Sequence, residues 1–282
     1  MALDTCPICT RDRLFPYASK HGIDFVKCLD CGYVVADPMP SQQELARLYD
    51  EAHFKSSYHP DEAQDTTLLQ QRQVQYHLDR DHLMQHAPAG RLLDFGCGNG
   101  QFLRTFPDDY TKWGYELNRV TTAWIREQGG FTVVDTQEGL EGFDPGFFDV
   151  VSMRGVIEHL PEPEPVVELL AGKLRVGGTF YLCATPNMDS PCALIYEASW
   201  SQFSPPYHLH QFSPRTLAVL FARHGLALQE YTLPYLGTPY EKAAEDGPHF
   251  VRDANVWLDG GAPERSAPYP GTMMSVVFRK VA

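Results

Sequence analysis

The stretch Arg-Leu-Leu-Asp-Phe-Gly-Cys-Gly-Asn-Gly, at residues 91–100, predicts a buried strand that runs into a glycine turn. Residues 101–106 continue it as a short helix, which Pro107 ends because proline lacks a backbone N–H. Glycine at every second position suits a turn whose backbone takes a positive φ or lies close to a ligand. The first turn of a helix also leaves N–H groups unpaired. The stretch is therefore typical of a strand–turn–helix unit that binds a ligand at its turn.

The glycine spacing differs from that of dinucleotide-binding turns, which follow G-x-G-x-x-G. The pattern here is D-x-G-x-G-x-G, with Asp94 two residues before the first glycine. A carboxylate beside the turn would repel a pyrophosphate and attract a cationic group such as an ammonium. The alternative is a tight glycine turn that binds nothing.

Strands that alternate with helices across residues 91–183 predict a parallel, doubly wound α/β sheet. Further strand candidates lie at 112–117, 131–135, 147–153, 179–183, 226–233 and 273–278, which makes seven with the first. Glu116 stands at the end of the second strand, about 20 residues beyond the glycines, where a carboxylate can accept both hydroxyls of a ribose. A solvated glutamate at a strand end is the alternative.

Together these features resemble the class I S-adenosylmethionine-dependent methyltransferases. The glycine turn matches the first motif of that family, and Phe-Asp-Val-Val at 148–151, followed by Glu-His-Leu at 158–160, resembles the segment after its fourth strand. The resemblance implies S-adenosylmethionine as cofactor and a Rossmann-like, seven-stranded sheet with helices on both faces. The implied cofactor contacts are Asp94, Gly96, Cys97, Gly98, Gly100, Glu116, Leu117, Thr136, Gln137 and Arg154.

Two Cys-x-x-Cys pairs precede this domain, Cys6 with Cys9 and Cys28 with Cys31, and eighteen residues separate them. This spacing is typical of a site in which four thiolates bind a structural Zn²⁺. Strand candidates at 25–27 and 33–35 complete the outline of a zinc ribbon. Such a ribbon binds nucleic acid or protein, or it is a metal-stabilised module docked on its neighbour as a structural element or substrate lid. We favour the second interpretation.

Three regions follow from these patterns: the zinc ribbon at 1–40, a helical bridge that covers the cofactor at 41–90, and the S-adenosylmethionine-binding domain at 91–282. Tyr58 in the bridge is either a cofactor contact or a packing aromatic. Long segments without a regular pattern predict lid insertions at 186–212 and 235–272, because loops of this length tend to bind or cover ligands.

Methyl transfer from a sulfonium needs in-line alignment and, for an oxygen or carbon acceptor, a base. Histidine suits this base because its pKa lies near neutral pH. In an extended segment His208 and His210 share one face. The catalytic candidates are His208, His210, His159 and Tyr207. Core or surface histidines are the alternative.

The ribbon, the domain and the Tyr-His pair are together similar to zinc-containing methyltransferases that modify nucleotide-linked sugars. The motif Glu-Gly-Tyr-His of that family reads Pro-Pro-Tyr-His at residues 205–208.

The net charge and the distribution of apolar residues narrow the class of protein. A formal charge of −13 over 282 residues, without any Lys/Arg run, argues against nucleic-acid binding. No apolar run approaches the roughly 20 residues that span a bilayer, and residues 1–13 lack a signal-peptide core, so we expect a cytoplasmic protein.

We expect a methyltransferase that acts on a small natural-product, sugar or quinone-like acceptor, with O- or C-methylation favoured. An RNA methyltransferase that uses the ribbon to bind RNA, and a non-catalytic S-adenosylmethionine-binding protein, are the alternatives. The oligomeric state does not follow from the sequence.

Overall fold

The computed structural model describes residues 3–41, 43–45, 66–263, 266 and 268–282. Within them the chain forms a four-stranded and a seven-stranded sheet. The smaller sheet contains β1 (Leu14–Lys20), β2 (Ile23–Cys28), β3 (Val34–Ala36) and β9 (His210–Gln211). The larger sheet contains β4 (Gly90–Phe95), β5 (Tyr110–Tyr115), β6 (Thr132–Val134), β7 (Phe148–Arg154), β8 (Leu174–Pro186), β10 (Leu226–Thr232) and β11 (Met273–Lys280).

The larger sheet has the order β10-β11-β8-β7-β4-β5-β6. The run from β8 to β6 is parallel, whereas β11 is antiparallel to both of its neighbours. The predicted seven-stranded, Rossmann-like α/β sheet is therefore confirmed.

Apart from the helical residues 43–45, eight α-helices accompany the two sheets in the described part of the chain. They are α1 (Thr66–His86), α2 (Gln101–Arg104), α3 (Arg119–Gln128), α4 (Gln137–Glu141), α5 (Pro163–Lys173), α6 (Pro191–Tyr196), α7 (Pro214–Ala222) and α8 (Ala243–Leu258). Residues 46–65, which include Tyr58 and the start of the predicted bridge helix, lie outside the described residues. No helix among the described residues is long and apolar enough to cross a membrane.

Helices cover both faces of the larger sheet because its strands are apolar on both sides. Leu92 of β4 packs in a core with α1, α2 and α3, whereas its neighbour Leu93 packs in a core with α5 and α7. Successive residues of a strand point to opposite faces. Such continuous apolar strands are typical of a parallel sheet that is buried on both sides.

The smaller sheet carries the cysteine pairs and takes its fourth strand from far along the chain. Val35 of β3 pairs with His210 of β9, and the N–H of Ala36 donates to the carbonyl of Leu209 at 2.9 Å. The predicted strand at 25–27 lies within β2, and the one at 33–35 overlaps β3, whereas β1 and β9 were not predicted. The ribbon is therefore closed by the segment that precedes α7.

Both faces of the ribbon sheet are occupied by the rest of the chain. Tyr33 packs in the core that contains α7, and Phe25 packs against Trp200 and Phe203. Two arginines add polar contacts: Arg215 donates to the carbonyl of Cys31 at 2.7 Å, and Arg223 donates to the carbonyl of Pro7 at 2.9 Å.

The segment 235–272 contains a helix that the sequence pattern did not predict. The helix α8 includes Gly247 and Pro248 near its start, two residues that ordinarily argue against a helix. Asp253 of this helix accepts a hydrogen bond from the hydroxyl of Tyr196 at 2.6 Å, which ties α8 to α6. The insertion is thus a packed helical element and not an irregular loop.

Candidate active site

The glycine turn after β4 has the backbone that its spacing predicts. Gly96, Gly98 and Gly100 take φ values of 74°, 53° and 75°. A Cβ at Gly96 would lie 2.7 Å from Cγ2 of Val156, and one at Gly100 would lie 2.1 Å from Cζ of Phe131. A larger residue is therefore excluded at both positions by conformation and by contact.

A cavity of about 970 Å³ lies beside this turn, at the carboxyl ends of β4, β5 and β7. Ligands bind at this edge of parallel α/β sheets. The predicted cofactor residues that line it are Asp94, Gly96, Cys97, Gly98, Glu116, Leu117 and Arg154. The site thus brings together residues from three strands that are up to 60 positions apart in the sequence (Asp94 to Arg154).

Three predicted cofactor residues, Gly100, Thr136 and Gln137, are not among the residues that line the cavity. Gly100 packs against Phe131, as described above. The hydroxyl of Thr136 accepts the N–H of Gly139 at 3.0 Å and so caps α4. The side-chain amide of Gln137 donates to Glu141 at 2.7 Å. The side chains of Thr136 and Gln137 therefore stabilise α4. The sequence of a polar turn does not distinguish this role from ligand binding.

Glu116 is held at the cavity edge through both of its carboxylate oxygens. The N–H of Gly98 donates to Oε2 at 3.2 Å, and the N–H of Asn118 donates to Oε1 at 2.8 Å. Each oxygen keeps a second lone pair, since an ionised carboxylate accepts about four hydrogen bonds. Burial raises the pKa of Glu116, and the backbone N–H groups oppose this shift. The next residue, Leu117, lies at the same rim and is 60% exposed.

Asp94 lies at the inner end of the cavity and is 2% exposed. The hydroxyl of Ser152 donates to its Oδ1 at 2.7 Å. Burial raises the pKa of Asp94 to about 7, although Ser152 and Arg154 both lower it. A buried carboxylate of this kind is stabilised in its charged form by a cationic ligand group.

Arg154, at the end of β7, is positioned by α1. Its Nε donates to Oδ2 of Asp79 at 2.9 Å, and its guanidinium lies 4.5 Å from the ring centroid of Tyr76. The guanidinium has four further N–H donors in a planar arrangement, which suits a carboxylate. Tyr76 itself lines the cavity, so α1 contributes a wall of the site.

Glu158, His159 and His208 also line the cavity and form a cluster there. One donor atom from each lies within 4.8 Å of the others. The two imidazole rings meet edge to face with centroids 4.7 Å apart, and Nε2 of His159 is 4.0 Å from Oε1 of Glu158. Burial raises the pKa of Glu158 to about 8.

The tautomer of His208 follows from its surroundings. Its Nδ1 lies 2.7 Å from the carbonyl oxygen of Gln202, which can only accept a hydrogen bond. In the neutral ring Nδ1 therefore carries the proton and Nε2 carries the lone pair. Burial lowers the pKa of His208, which favours this neutral form near pH 7.

His210 and Tyr207 are not among the residues that line the cavity. His210 is 3% exposed within the ribbon sheet, where its Nδ1 contacts the hydroxyl of Tyr33. Burial lowers its pKa to about 4. The prediction that His208 and His210 share one face of an extended segment is wrong, because the strand begins only at His210.

Several residues that line the cavity were not predicted. They include Tyr76, Asn118, Val156, Ala184, Gln202 and Met273. Ala184 takes a φ of 54° within β8, a conformation that is uncommon outside glycine and that concentrates at functional sites. Sequence periodicity carries no signal for such a residue, because only the fold brings it to the cavity.

The four ribbon cysteines lie together, with one Sγ from each within 4.8 Å of the others. The Sγ atoms of Cys6 and Cys31 are 3.6 Å apart, and those of Cys9 and Cys28 are 3.5 Å apart. A tetrahedral ion with Zn–S bonds of about 2.3 Å separates its ligands by about 3.8 Å, whereas a disulfide needs about 2.05 Å. Gly32, with φ 79°, completes the second turn. The donor set fits a structural zinc ion.

A family model described as a methyltransferase domain matches residues 68–231, which is more than half of the chain. Among curated proteins, the ubiquinone biosynthesis O-methyltransferase of Xanthomonas campestris is 29% identical over 155 residues, which cover 51% of this chain and 65% of that protein. The enzyme of the same name from Burkholderia thailandensis is 25% identical over 161 residues, with 51% and 68% covered. The match to the Xanthomonas protein therefore spans less than two thirds of its length.

Solved structures share the fold. The 1,6-didemethyltoxoflavin-N1-methyltransferase of Burkholderia thailandensis, determined with 1,6-didemethyltoxoflavin and S-adenosylhomocysteine, has a TM-score of 0.56 and 14% identity. The similarity covers 95% of this chain and 99% of that one. The YcgJ protein of Bacillus subtilis has a TM-score of 0.52 and 17% identity, with 73% and 99% covered.

Proposed function

The chain belongs to the methyltransferase-domain family, and we propose that it transfers the methyl group of S-adenosylmethionine to a small organic acceptor. The observation that carries this proposal is the pair of fixed carboxylates, Asp94 and Glu116, at the ends of adjacent parallel strands. Between them lies a glycine turn that leaves the cavity open. An ammonium and a ribose diol are the two groups that such a pair accommodates at once.

Each polar end of the cofactor has a chemical counterpart in the cavity. Glu116 accepts hydrogen bonds from the two ribose hydroxyls through the lone pairs that the N–H groups of Gly98 and Asn118 do not use. Asp94 pairs with the methionyl ammonium, and Arg154 faces the methionyl carboxylate. Leu117 packs against the adenine. The cofactor supplies a methyl group that its sulfonium already activates for displacement.

The protein's part in the chemistry is to align the acceptor and to take its proton. His208 presents an Nε2 lone pair to the cavity, because Gln202 holds the proton on Nδ1. We assign it as the general base, with His159 beside it as an alternative. Glu158, whose pKa burial raises to about 8, remains largely protonated at neutral pH and does not compete for the proton.

The acceptor class follows from the need for a base. A hydroxyl or an acidic carbon must lose a proton as the methyl arrives, so a poised histidine favours O- or C-methylation. The cavity has room for the cofactor and a small natural-product, sugar or quinone-like molecule. The name of the curated relatives, ubiquinone biosynthesis O-methyltransferase, supports O-methylation of a quinone-like acceptor.

An RNA acceptor has less support. Both faces of the ribbon sheet pack on the rest of the chain, and the net charge is −13.

We propose that Cys6, Cys9, Cys28 and Cys31 hold a structural Zn²⁺ whose role is to shape the acceptor side of the cavity.

Two measurements test the proposed function. Titration calorimetry with S-adenosylhomocysteine should give one site per chain, and Asp94→Ala should abolish it. Incubation with methyl-labelled S-adenosylmethionine and a panel of phenols, catechols and sugars should then transfer label to at least one hydroxylated compound. Cofactor binding without transfer to any acceptor, and with no effect of His208→Asn, would support a non-catalytic binding protein. A steeply salt-dependent affinity for RNA would support the nucleic-acid alternative.

A further inference from the structure

A second cluster of metal-ligating side chains lies outside the cavity, between the end of α1 and the sheet edge. His82 and His86 are four residues apart on α1, so they lie on one face of the helix. Glu230 of β10 faces both of them, with Oε1 3.4 Å from Nε2 of His82 and Oε2 3.5 Å from Nε2 of His86. All three donor atoms lie within 4.8 Å of one another.

These separations are longer than hydrogen bonds between charged groups, which measure about 2.7–2.9 Å. They match the ligand–ligand spacing around a tetrahedral ion, which is about 3.3–3.6 Å for bonds of 2.0–2.2 Å to nitrogen and oxygen. Nε2 of His86 is buried and has no hydrogen-bond partner among the described residues. A buried ring nitrogen that points towards two other donor atoms indicates a ligand between them.

The ring of His82 is oriented from its other side. Its Nδ1 lies 3.1 Å from the hydroxyl of Tyr181, a residue that is fully buried in β8. A histidine that binds a metal through one nitrogen typically donates its other N–H to such a partner. Burial lowers the pKa of His86, and His82 and Arg279 lower it further, whereas Glu230 raises it. A neutral imidazole is the form that binds a metal.

We propose that His82, His86 and Glu230 form a site for a divalent transition-metal ion of the zinc type, with three protein ligands and one open position. Two imidazoles and one carboxylate suit Zn²⁺ or Ni²⁺, whereas Mg²⁺ and Ca²⁺ prefer oxygen ligands throughout. This site is separate from the thiolate cluster and from the cavity.

The ion would join α1 to the sheet edge. The same helix carries Tyr76, which lines the cavity and lies against the guanidinium of Arg154, and Asp79, which accepts a hydrogen bond from Arg154. A metal that fixes the end of α1 therefore stabilises the helix that positions the arginine. This coupling does not depend on which acceptor the enzyme methylates.

The test uses the full-length protein, whose metal content is first measured so that zinc on the ribbon is counted separately. Titration with Zn²⁺ and with Ni²⁺ should show one additional ion per chain. His86→Asn and Glu230→Gln should each weaken this binding by more than about tenfold. His77→Asn, on an exposed face of the same helix, should leave it unchanged.

Thermal unfolding provides a second readout, because an ion that binds only the folded chain raises its Tm in a concentration-dependent way. The added ion should raise the Tm of the wild type and of His77→Asn but not that of the double variant His82→Asn/His86→Asn. An additional ion that binds the double variant as tightly as the wild type, or no additional ion in the wild type, would overturn the proposal. Either result would overturn only the proposed metal site and would not bear on the proposed cofactor binding and methyl transfer.

Discussion

The backbone N–H of Leu209 donates to the carbonyl oxygen of Glu158 at 2.9 Å. This bond joins the ribbon to the cavity, because Leu209 directly precedes β9, the fourth strand of the ribbon sheet. Glu158 belongs to the 3-10 turn Ile157–His159, which carries His159, and the residue before Leu209 is His208. The position of both candidate bases is therefore linked to the integrity of the ribbon.

Loss of the zinc ion that we propose for the ribbon should reduce methyl transfer more than cofactor binding. Cys28→Ser should lower the zinc content by about one ion per chain, because a structural site needs all four thiolates. The ribbon sheet then no longer holds β9, and His208 loses its position, whereas Glu116 and Asp94 lie on other strands. Metal analysis, calorimetry with S-adenosylhomocysteine and a turnover assay together check this prediction.

Cys192→Ser is the matched control, since Cys192 is a buried thiol outside the cysteine cluster. It should leave the zinc content unchanged whatever its effect on stability. A Cys28→Ser protein with the same zinc content as the wild type would contradict the four-thiolate assignment.

Glu116→Gln should weaken cofactor binding by roughly 10- to 100-fold, which corresponds to the loss of one or two hydrogen bonds to a charged group. The amide keeps the shape of the side chain but can accept only through its single oxygen. Calorimetry with S-adenosylhomocysteine measures the effect directly. Glu127→Gln, an exposed position on α3, is the control and should bind as the wild type does. Equal affinities in all three proteins would rule out the ribose contact.

The buried carboxyl groups of Asp94 and Glu158 should make the ligand-free protein less stable as the pH rises from about 5 to about 8, whereas His208 and His210, whose pKa values burial lowers, contribute in the opposite direction below about pH 6.5. Burial raises the pKa of Asp94 to about 7 and that of Glu158 to about 8, whereas unfolded carboxyl groups titrate near 4. Between these values the two carboxyl groups bind more protons in the native state than in the unfolded state, so their contribution to the free energy of unfolding decreases with pH. At about 1.4 kcal/mol per pKa unit, the contribution of Asp94 amounts to about 4 kcal/mol over the whole interval from below pH 4 to above pH 7, and to about 3 kcal/mol from pH 5 upward.

Urea unfolding at several pH values tests this dependence. Asp94→Asn should make the change of the free energy of unfolding with pH less negative. The amide has no proton to lose, yet it can still accept the hydrogen bond from the hydroxyl of Ser152. Asp108→Asn, an exposed position, should keep the wild-type slope. The same slope in Asp94→Asn and the wild type would show that the native carboxyl titrates normally.

Most of the residues that the sequence predicts as cofactor contacts line the cavity, because their sequence signals are local. The spacing of Asp94 and the glycines, and the place of Glu116 at a strand end, are set within one strand–turn–helix unit each. Gly100 resembles its neighbours in sequence but meets Phe131, which lies 31 residues further on (100 to 131). Only tertiary structure separates a packing glycine from one that lines a cavity.

The acceptor side was less predictable for a different reason. A two-residue strand such as β9 has no periodicity, so nothing in the sequence indicates that His210 joins the ribbon while His208 faces the cavity. The helix α8 was missed because Gly247 and Pro248 have low helix propensity. Long-range hydrogen bonds such as that from Tyr196 to Asp253 nevertheless stabilise it. Long-range pairing overrides local propensity in both cases.

The two histidines should therefore behave differently when replaced. His208→Asn should reduce turnover by about 10²- to 10⁴-fold, the usual contribution of a general base, and leave cofactor binding intact. His210→Asn should instead lower the Tm, because its ring is buried against Tyr33 in the ribbon sheet.

The wild-type rate should fall on acidification with a midpoint below 6.5, since burial lowers the pKa of His208 and only its neutral form accepts a proton. A rate that instead requires an added divalent cation would show that Glu158, His159 and His208 act as metal ligands, and the base assignment would then be wrong.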